Sequence, residues 1–224
     1  VYGGFVPSYF SHKSRNLYLS DDGICGIIGT GQSFNFHEQS HIPWTIGLDI
    51  GYVSTQYAEL FAGVSYAKSE GREHHFELEG FPSKFRFKSY SDVGLWAGMR
   101  FYFIGADMCG GCYFDPFFGI KAGVKFYNKV KADYKVKGLG FFEENVAYYQ
   151  KEIVPALGLQ LGFAFNFFDC VDMVFMGEAI WAGPFRNNNK IFLGGNAGRI
   201  QAVSVGETGT IWSFPVTLGL VINL

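Results

Sequence analysis

No stretch of 18 or more apolar residues occurs anywhere in the chain, so a helical membrane span is excluded. Charge is scarce too: charged residues make up 17% of the sequence, against about 25% in ordinary soluble domains. Neither sign dominates, with 18 Lys and Arg against 20 Asp and Glu and a net charge of −2. No basic stripe appears, which removes the electrostatic case for a nucleic-acid partner. Cysteine is limited to Cys25, Cys109, Cys112 and Cys170. The single Cys109-Gly110-Gly111-Cys112 lacks the second pair a zinc site needs and the βαβ context of a thioredoxin-like redox motif, so neither a metal nor a cofactor is expected. The chain opens at Val1 with no basic-then-apolar leader, which is consistent with export and removal of a signal peptide. No linker-like segment divides it, and residues 1–224 read as one domain.

Aromatic residues and glycine are abundant: 25 Phe, 13 Tyr and 30 Gly, a mixture that suits closely paired, twisted strands better than helices. Thr210 to Leu224 set Trp212, Phe214, Val216, Leu218, Leu220, Ile222 and Leu224 on one parity and mostly small or polar residues on the other. Successive strand side chains point to opposite faces, so such a segment is oily on one side only. Counting period-2 segments gives eight strands. The apolar parities include Trp44 to Tyr52, Leu60 to Tyr66, Val93 to Phe103, Phe114 to Phe126 and Leu157 to Phe165. A seventh segment, around Met173 to Trp181, is less clean, because Val174, Met176 and Ile180 share a face with Glu178.

Connections alternate in length. Short ones (Ser54 to Gln56, Gly105 to Tyr113, Phe167 to Val171) interleave with long ones (Ser11 to Pro43, Lys68 to Tyr90, Asn128 to Lys151, Gly183 to Gly209). Short turns on one rim and long loops on the other is the arrangement of an outer-membrane barrel, and the flanking strands are expected to extend into the long segments. The fold class predicted is therefore all-β: an eight-stranded antiparallel up-and-down transmembrane β-barrel. Asp115-Pro116-Phe117-Phe118-Gly119-Ile120-Lys121-Ala122-Gly123 resembles the Pro-aromatic-x-Gly-x-x-x-Gly strand of the eight-stranded bacterial outer-membrane barrels of the OmpA-transmembrane, OmpX and opacity-protein type, and the C-terminal strand resembles theirs. That family usually ends in Phe, whereas this chain ends in Leu224. The resemblance implies a Gram-negative outer membrane, with lipid and lipopolysaccharide around a monomeric barrel.

Trp44, Tyr66, Phe126, Trp181 and Trp212 fall on outward parities near the loop ends of their strands, where an interfacial aromatic girdle belongs. Trp96 points inward, as do Phe61 and Phe117. Asp49, Glu59, Arg100, Lys121, Lys125, Gln160 and Glu178 lie on inward parities and are expected to form a polar network, since unpaired charges in a narrow lumen are costly. Eight strands leave an interior just wide enough for side chains, which favours a plug over a channel for small or apolar solutes.

Cys109 and Cys112 suit stapling of a turn in an oxidising compartment. His74 and His75 beside Glu73 or Glu77 are more simply solvated loop residues than metal ligands. Ser11-His12, or Ser69 with His74 or His75, offer the residue types of a lipid A-modifying enzyme but no recognisable spacing, so catalysis is not expected. The long segments remain as the functional surface, in a structural or adhesive role toward a host or surface ligand.

Overall fold

A strand with one oily and one polar face can satisfy its backbone N–H and C=O groups inside a membrane only if the sheet closes on itself. This sheet closes. The computed structural model describes residues 2–5, 8–10, 13–14, 17–21, 27–28, 34–35, 43–78, 81–104, 114–136, 141–149, 151–168, 171–185, 191–195, 198–204 and 209–222. Eight antiparallel strands form the barrel: β1 (Tyr2–Phe5 and Ser8–Phe10), β2 (Trp44–Thr55), β3 (Ala58–Ser69), β4 (Tyr90–Tyr102), β5 (Asp115–Tyr127), β6 (Glu152–Phe168), β7 (Val171–Phe185) and β8 (Gly209–Ser213 and Val216–Ile222). Each pairs with its sequence neighbours, and β1 also pairs with β8, from Tyr2↔Gly219 to Phe5↔Val216. The β1–β8 register is unchanged between its two segments, since Ser8 faces Ser213 as Phe5 faces Val216. The same holds across Pro215, where the Glu178 N–H donates to the Pro215 carbonyl at 2.9 Å.

The outside is the apolar face. Ile50, Leu159 and Leu161 are 75%, 62% and 68% exposed, although all three sit mid-strand. Such a surface is a liability in water and a requirement in hydrocarbon, so these residues face lipid. At the loop end Trp44 lies against Tyr66 with ring centroids 5.5 Å apart, and Trp181 is opposite Trp212. A second aromatic belt runs along the turn end of β4 to β7. It includes Phe101 stacked on Phe118 at 4.9 Å, Phe163 stacked on Phe175 at 5.2 Å, and Phe114 at 5.4 Å from Phe163. Phe126 and Phe118 are eight residues apart on β5, about 27 Å along a strand, which a tilt of about 40° reduces to about 20 Å of height, near the apolar band of a barrel of this class.

The long connections are largely continuations of the barrel strands. Glu73–Leu78 and Phe81–Phe87 pair in the register of the β3–β4 hairpin below, and Phe87↔Ala132 carries on the ladder of Asp92↔Tyr127. Together with Val130–Val136 and Phe141–Tyr149 they form a four-stranded sheet that prolongs β3 to β6 beyond the girdle. On the opposite wall Gly198–Ser204 pairs with both Leu17–Asp21 and Ile191–Gly195, prolonging β1, β7 and β8.

Candidate functional site

Among the described residues, the lumen is packed with side chains that the strand parity turns inward. At its turn end, Arg100 on β4 makes an ion pair with Asp49 on β2 and a second with Glu59 on β3, at 3.3 Å. Tyr102 donates its hydroxyl to Glu59 Oε2 at 2.7 Å. The guanidinium lies over the Phe61 ring, 4.1 Å from its centroid. Its Nε also donates to Gln160 Oε1 on β6 at 3.3 Å. Gln160 turns its amide nitrogen to Glu178 Oε1 at 2.6 Å, and Lys121 Nζ donates to the same oxygen at 2.6 Å. Gln160 thus joins two charged groups: its carbonyl faces the cation and its NH₂ the carboxylate, the one amide orientation that satisfies both.

Six of the seven residues expected to form the lumen network therefore meet in one continuous chain of contacts, with Asp49, Glu59 and Arg100 linked to Lys121 and Glu178 through Gln160. Lys125 stands apart. It pairs with Asp92 at 2.8 Å nearer the loop end, close to the buried Tyr127. Asp92 was not among the expected residues; its inward parity beside Gly94 and Trp96 was the available signal. Against these charged groups packs an apolar plug of Trp96, Tyr127, Val154, Ala156, Ile180, Ala182 and Ile211. The mixed face of β7 is thus turned inward, where Met176 and Ile180 flank Glu178. Lys121 Nζ lies 4.4 Å from the Trp96 ring centroid, and the Trp96 indole donates to Ser65 Oγ at 2.9 Å.

Small residues make this filling fit. A Cβ at Gly98 would come within 2.6 Å of the Phe61 ring, and one at Gly162 within 2.7 Å of the Phe117 ring. Each inward ring lies across a neighbouring strand whose own side chain is missing, so the barrel stays narrow and still holds large groups.

Breaking one partner of a buried ion pair leaves a charge without compensation, at about 3–5 kcal/mol, whereas removing both can be nearly neutral. Lys121→Met and Glu178→Gln are each expected to lower unfolding free energy in lipid vesicles by an amount of that order, and the double variant by less than their sum. Strict additivity in the urea-unfolding cycle would show that the 2.6 Å contact carries no coupling.

No family model matches the sequence, and no curated protein matches it. Two solved structures are similar to it along its length. Neisserial surface protein A is 12% identical over 100% of this chain and 96% of that one, with a TM-score of 0.40. Ail, the attachment invasion locus protein of Yersinia pestis, solved with the heparin analogue sucrose octasulfate, is 11% identical over 98% and 97%, with a TM-score of 0.36. Likeness at this level carries no function across.

Above the barrel, the extended β3–β6 wall presents its own charges. Lys84 Nζ is 2.6 Å from Glu73 Oε1, and His75 Nε2 is 3.0 Å from the same oxygen. Hydrogen bonding from Lys84 holds the Glu73 carboxyl below its ordinary range. Lys88 pairs with Asp133 at 2.9 Å, and the Asn145 N–H donates to Asp133 Oδ1 at 2.9 Å. Asn145 has φ of 60° at a bulge in its strand, the left-handed conformation that Asn tolerates better than most residues. Partial burial raises the Asp133 carboxyl, but the hydrogen bonds from Lys88 and the Asn145 backbone outweigh it, and the net shift is downward. A carboxylate lowered on folding stabilises the sheet above its unfolded value and loses that contribution as pH falls through the folded one. Amide exchange in Val130–Val136 should accordingly speed up relative to the barrel as pH drops below about 4, the ordinary carboxylate range, and Asp133→Asn should abolish that extra sensitivity.

The residue types that an enzyme could have used do not come together among the described residues. Ser69 is buried on the inward parity of β3, and His75 lies six residues further along the same continuous ladder, about 20 Å away. Among the described residues no group of three or more His, Cys, Asp or Glu is placed to hold a metal. Cys109 and Cys112, Cys25 and Cys170, and Ser11-His12 lie outside the described residues.

Proposed function

We propose that this is an outer-membrane barrel of a Gram-negative bacterium, a single domain and a monomer surrounded by lipid and lipopolysaccharide, that acts by binding at the cell surface. The observation that carries the reading is the filled lumen. Arg100, Lys121, Lys125, Gln160 and Glu178 are each 8% exposed or less, as are Phe61, Trp96 and Phe117 between them. A water column would have to displace paired charges and packed rings together, at several kcal/mol each. Without a path through the barrel, activity falls to the strand extensions, which rise from a rigid scaffold into the medium where binding residues are commonly placed. Among the described residues, the neighbouring acids and bases of the lumen and of the β3–β6 extension are held in ion pairs.

Planar-bilayer recording separates this reading from the channel alternative. The purified barrel should show no stable unitary conductance, and deletion of Gly71 to Lys88 should abolish attachment of expressing cells to a host-cell layer while the barrel keeps its heat-resistant folded migration. Steady single-step conductance that disappears on enlarging Gly98 or Gly162 would establish a pore instead.

A further inference from the structure

Beside the Lys125–Asp92 pair, at the loop end of the lumen, the packing of side chains leaves a cavity. Four barrel strands supply its polar lining: Ser69 from β3, Tyr90 and Asp92 from β4, Lys125 and Tyr127 from β5, and Ser213 from β8. All six are buried and lie on inward parities. Lys68 also borders the cavity, from the lipid-facing parity of β3 that carries Tyr66. The space is small. Traced by the centre of a water-sized sphere it comes to about 10 Å³, the room that one water molecule needs and far too little for a sugar ring or a lipid headgroup. The inward charges on its wall cancel, since Lys125 Nζ stands 2.8 Å from Asp92 Oδ1, so a neutral occupant suits it better than an ion.

Polar capacity is nevertheless left over there. The Asp92 carboxylate keeps lone pairs beyond the one that Lys125 takes. Ser213 is 3% exposed, and among the described residues its hydroxyl has no hydrogen-bond partner. A hydroxyl sealed away without a partner is costly, and ordered water is the usual remedy. We propose that the cavity is a binding site for a single water molecule, which accepts from the Ser213 hydroxyl and donates to the Asp92 carboxylate. Ser69 on the same wall offers an acceptor for its second proton, within the two to four partners that a buried water uses. The result is a link that the direct contacts do not supply. The charged contacts of the lumen lie on β2 to β7, and Thr217 of β8 donates to the Met176 carbonyl on its neighbour β7 at 3.4 Å. The water ties β8, the strand that closes the ring, to β4 across the lumen.

A crystal structure of the full chain in detergent, at a resolution that shows ordered water, should hold one solvent peak within hydrogen-bonding distance of both Ser213 Oγ and the Asp92 carboxylate. Urea unfolding in lipid vesicles supplies an independent reading. Ser213→Ala and Asp92→Asn should combine non-additively, by about fivefold in the unfolding equilibrium constant, although no hydrogen bond joins the two side chains directly. Thr217→Ala removes a β8 hydroxyl that is bonded elsewhere, and its effect should simply add to that of Asp92→Asn. Ser213→Val, which sets a methyl group where the hydroxyl stood, should displace the peak and lose the same coupling. Additivity of Ser213→Ala with Asp92→Asn overturns the link, as does a direct hydrogen bond between these residues in the crystal. No peak in a map where other buried waters are ordered overturns the site. A peak that scatters anomalously once rubidium replaces sodium is a cation, and overturns the assignment to water.

Discussion

Arg100→Met is expected to destabilise the barrel by about 3–5 kcal/mol, the largest loss of any single lumen substitution, because it strands two carboxylates at once. Asp49 and Glu59 both rely on the one guanidinium, and Gln160 Oε1 loses its donor in the same step. Arg100→Lys should recover only part of the loss, since a single ammonium cannot reach Asp49, Glu59 and Gln160 with the forked geometry those contacts use. Neutralising all three charges, with Asp49→Asn and Glu59→Gln added to Arg100→Met, should restore most of the stability. Urea unfolding in lipid vesicles followed by tryptophan fluorescence reads each variant. If Arg100→Met unfolded at the parent's urea concentration, the turn-end network would be no more than a bystander to folding.

Leu159→Arg is the second large effect, expected on the outer face. Leu159 sits opposite Ile120 and Ala179, between the two aromatic belts and 62% exposed to lipid. A charge there costs about 2–4 kcal/mol at the midplane and falls toward 0–1 near the interfaces. Leu159→Phe, which keeps an apolar face, should be close to neutral. Arg in place of Trp212, within the loop-end girdle, should cost far less than at Leu159 because its long stem can carry the charge to the interface. Folding yields into vesicles rank the three. Equal yields would mean that Leu159 does not face hydrocarbon.

The barrel was legible in the sequence because lipid outside and packed polar groups inside impose opposite chemistry on alternate residues, as along Leu157 to Phe165. β7 was harder to read for a physical reason: Ile180 and Ala182 belong to the apolar plug and Met176 is buried on the same inward face, so both of its faces are oily and the alternation fades. Inward residues could be recognised one strand at a time, but their partners could not, because pairing depends on shear between strands. Lys125 was found and Asp92 was missed because the alternation on β4 was read from Val93, which left Asp92 just outside the strand. Gln160 was recognised as inward, yet its place as the link between Arg100 and Glu178 needed coordinates. The extensions carried a signal that went unused: Lys84-Phe85-Arg86-Phe87-Lys88 alternates as cleanly as any membrane strand, but with cations where the barrel has small residues, and charge made it read as a loop.

The seam between β1 and β8 makes the order of assembly unavoidable. The other barrel ladders among the described residues join strands adjacent in sequence, whereas the seam that runs from Tyr2↔Gly219 through Ser8↔Ser213 joins segments far apart in the chain, and on its far side β1 pairs with β2 at Tyr2 to Phe5. Closing a circuit that long is the most entropically demanding contact the protein makes, and it cannot precede the arrival of β8. Until then, two open edges carry unpaired peptide groups that hydrocarbon will not solvate. Hairpins β3–β4 and β5–β6, long and locally connected, are therefore free to form early. The last event is the zipping of β1 onto β8, where a proline in place of Gly4 would delay completion of the ring far more than the same change in a hairpin already made.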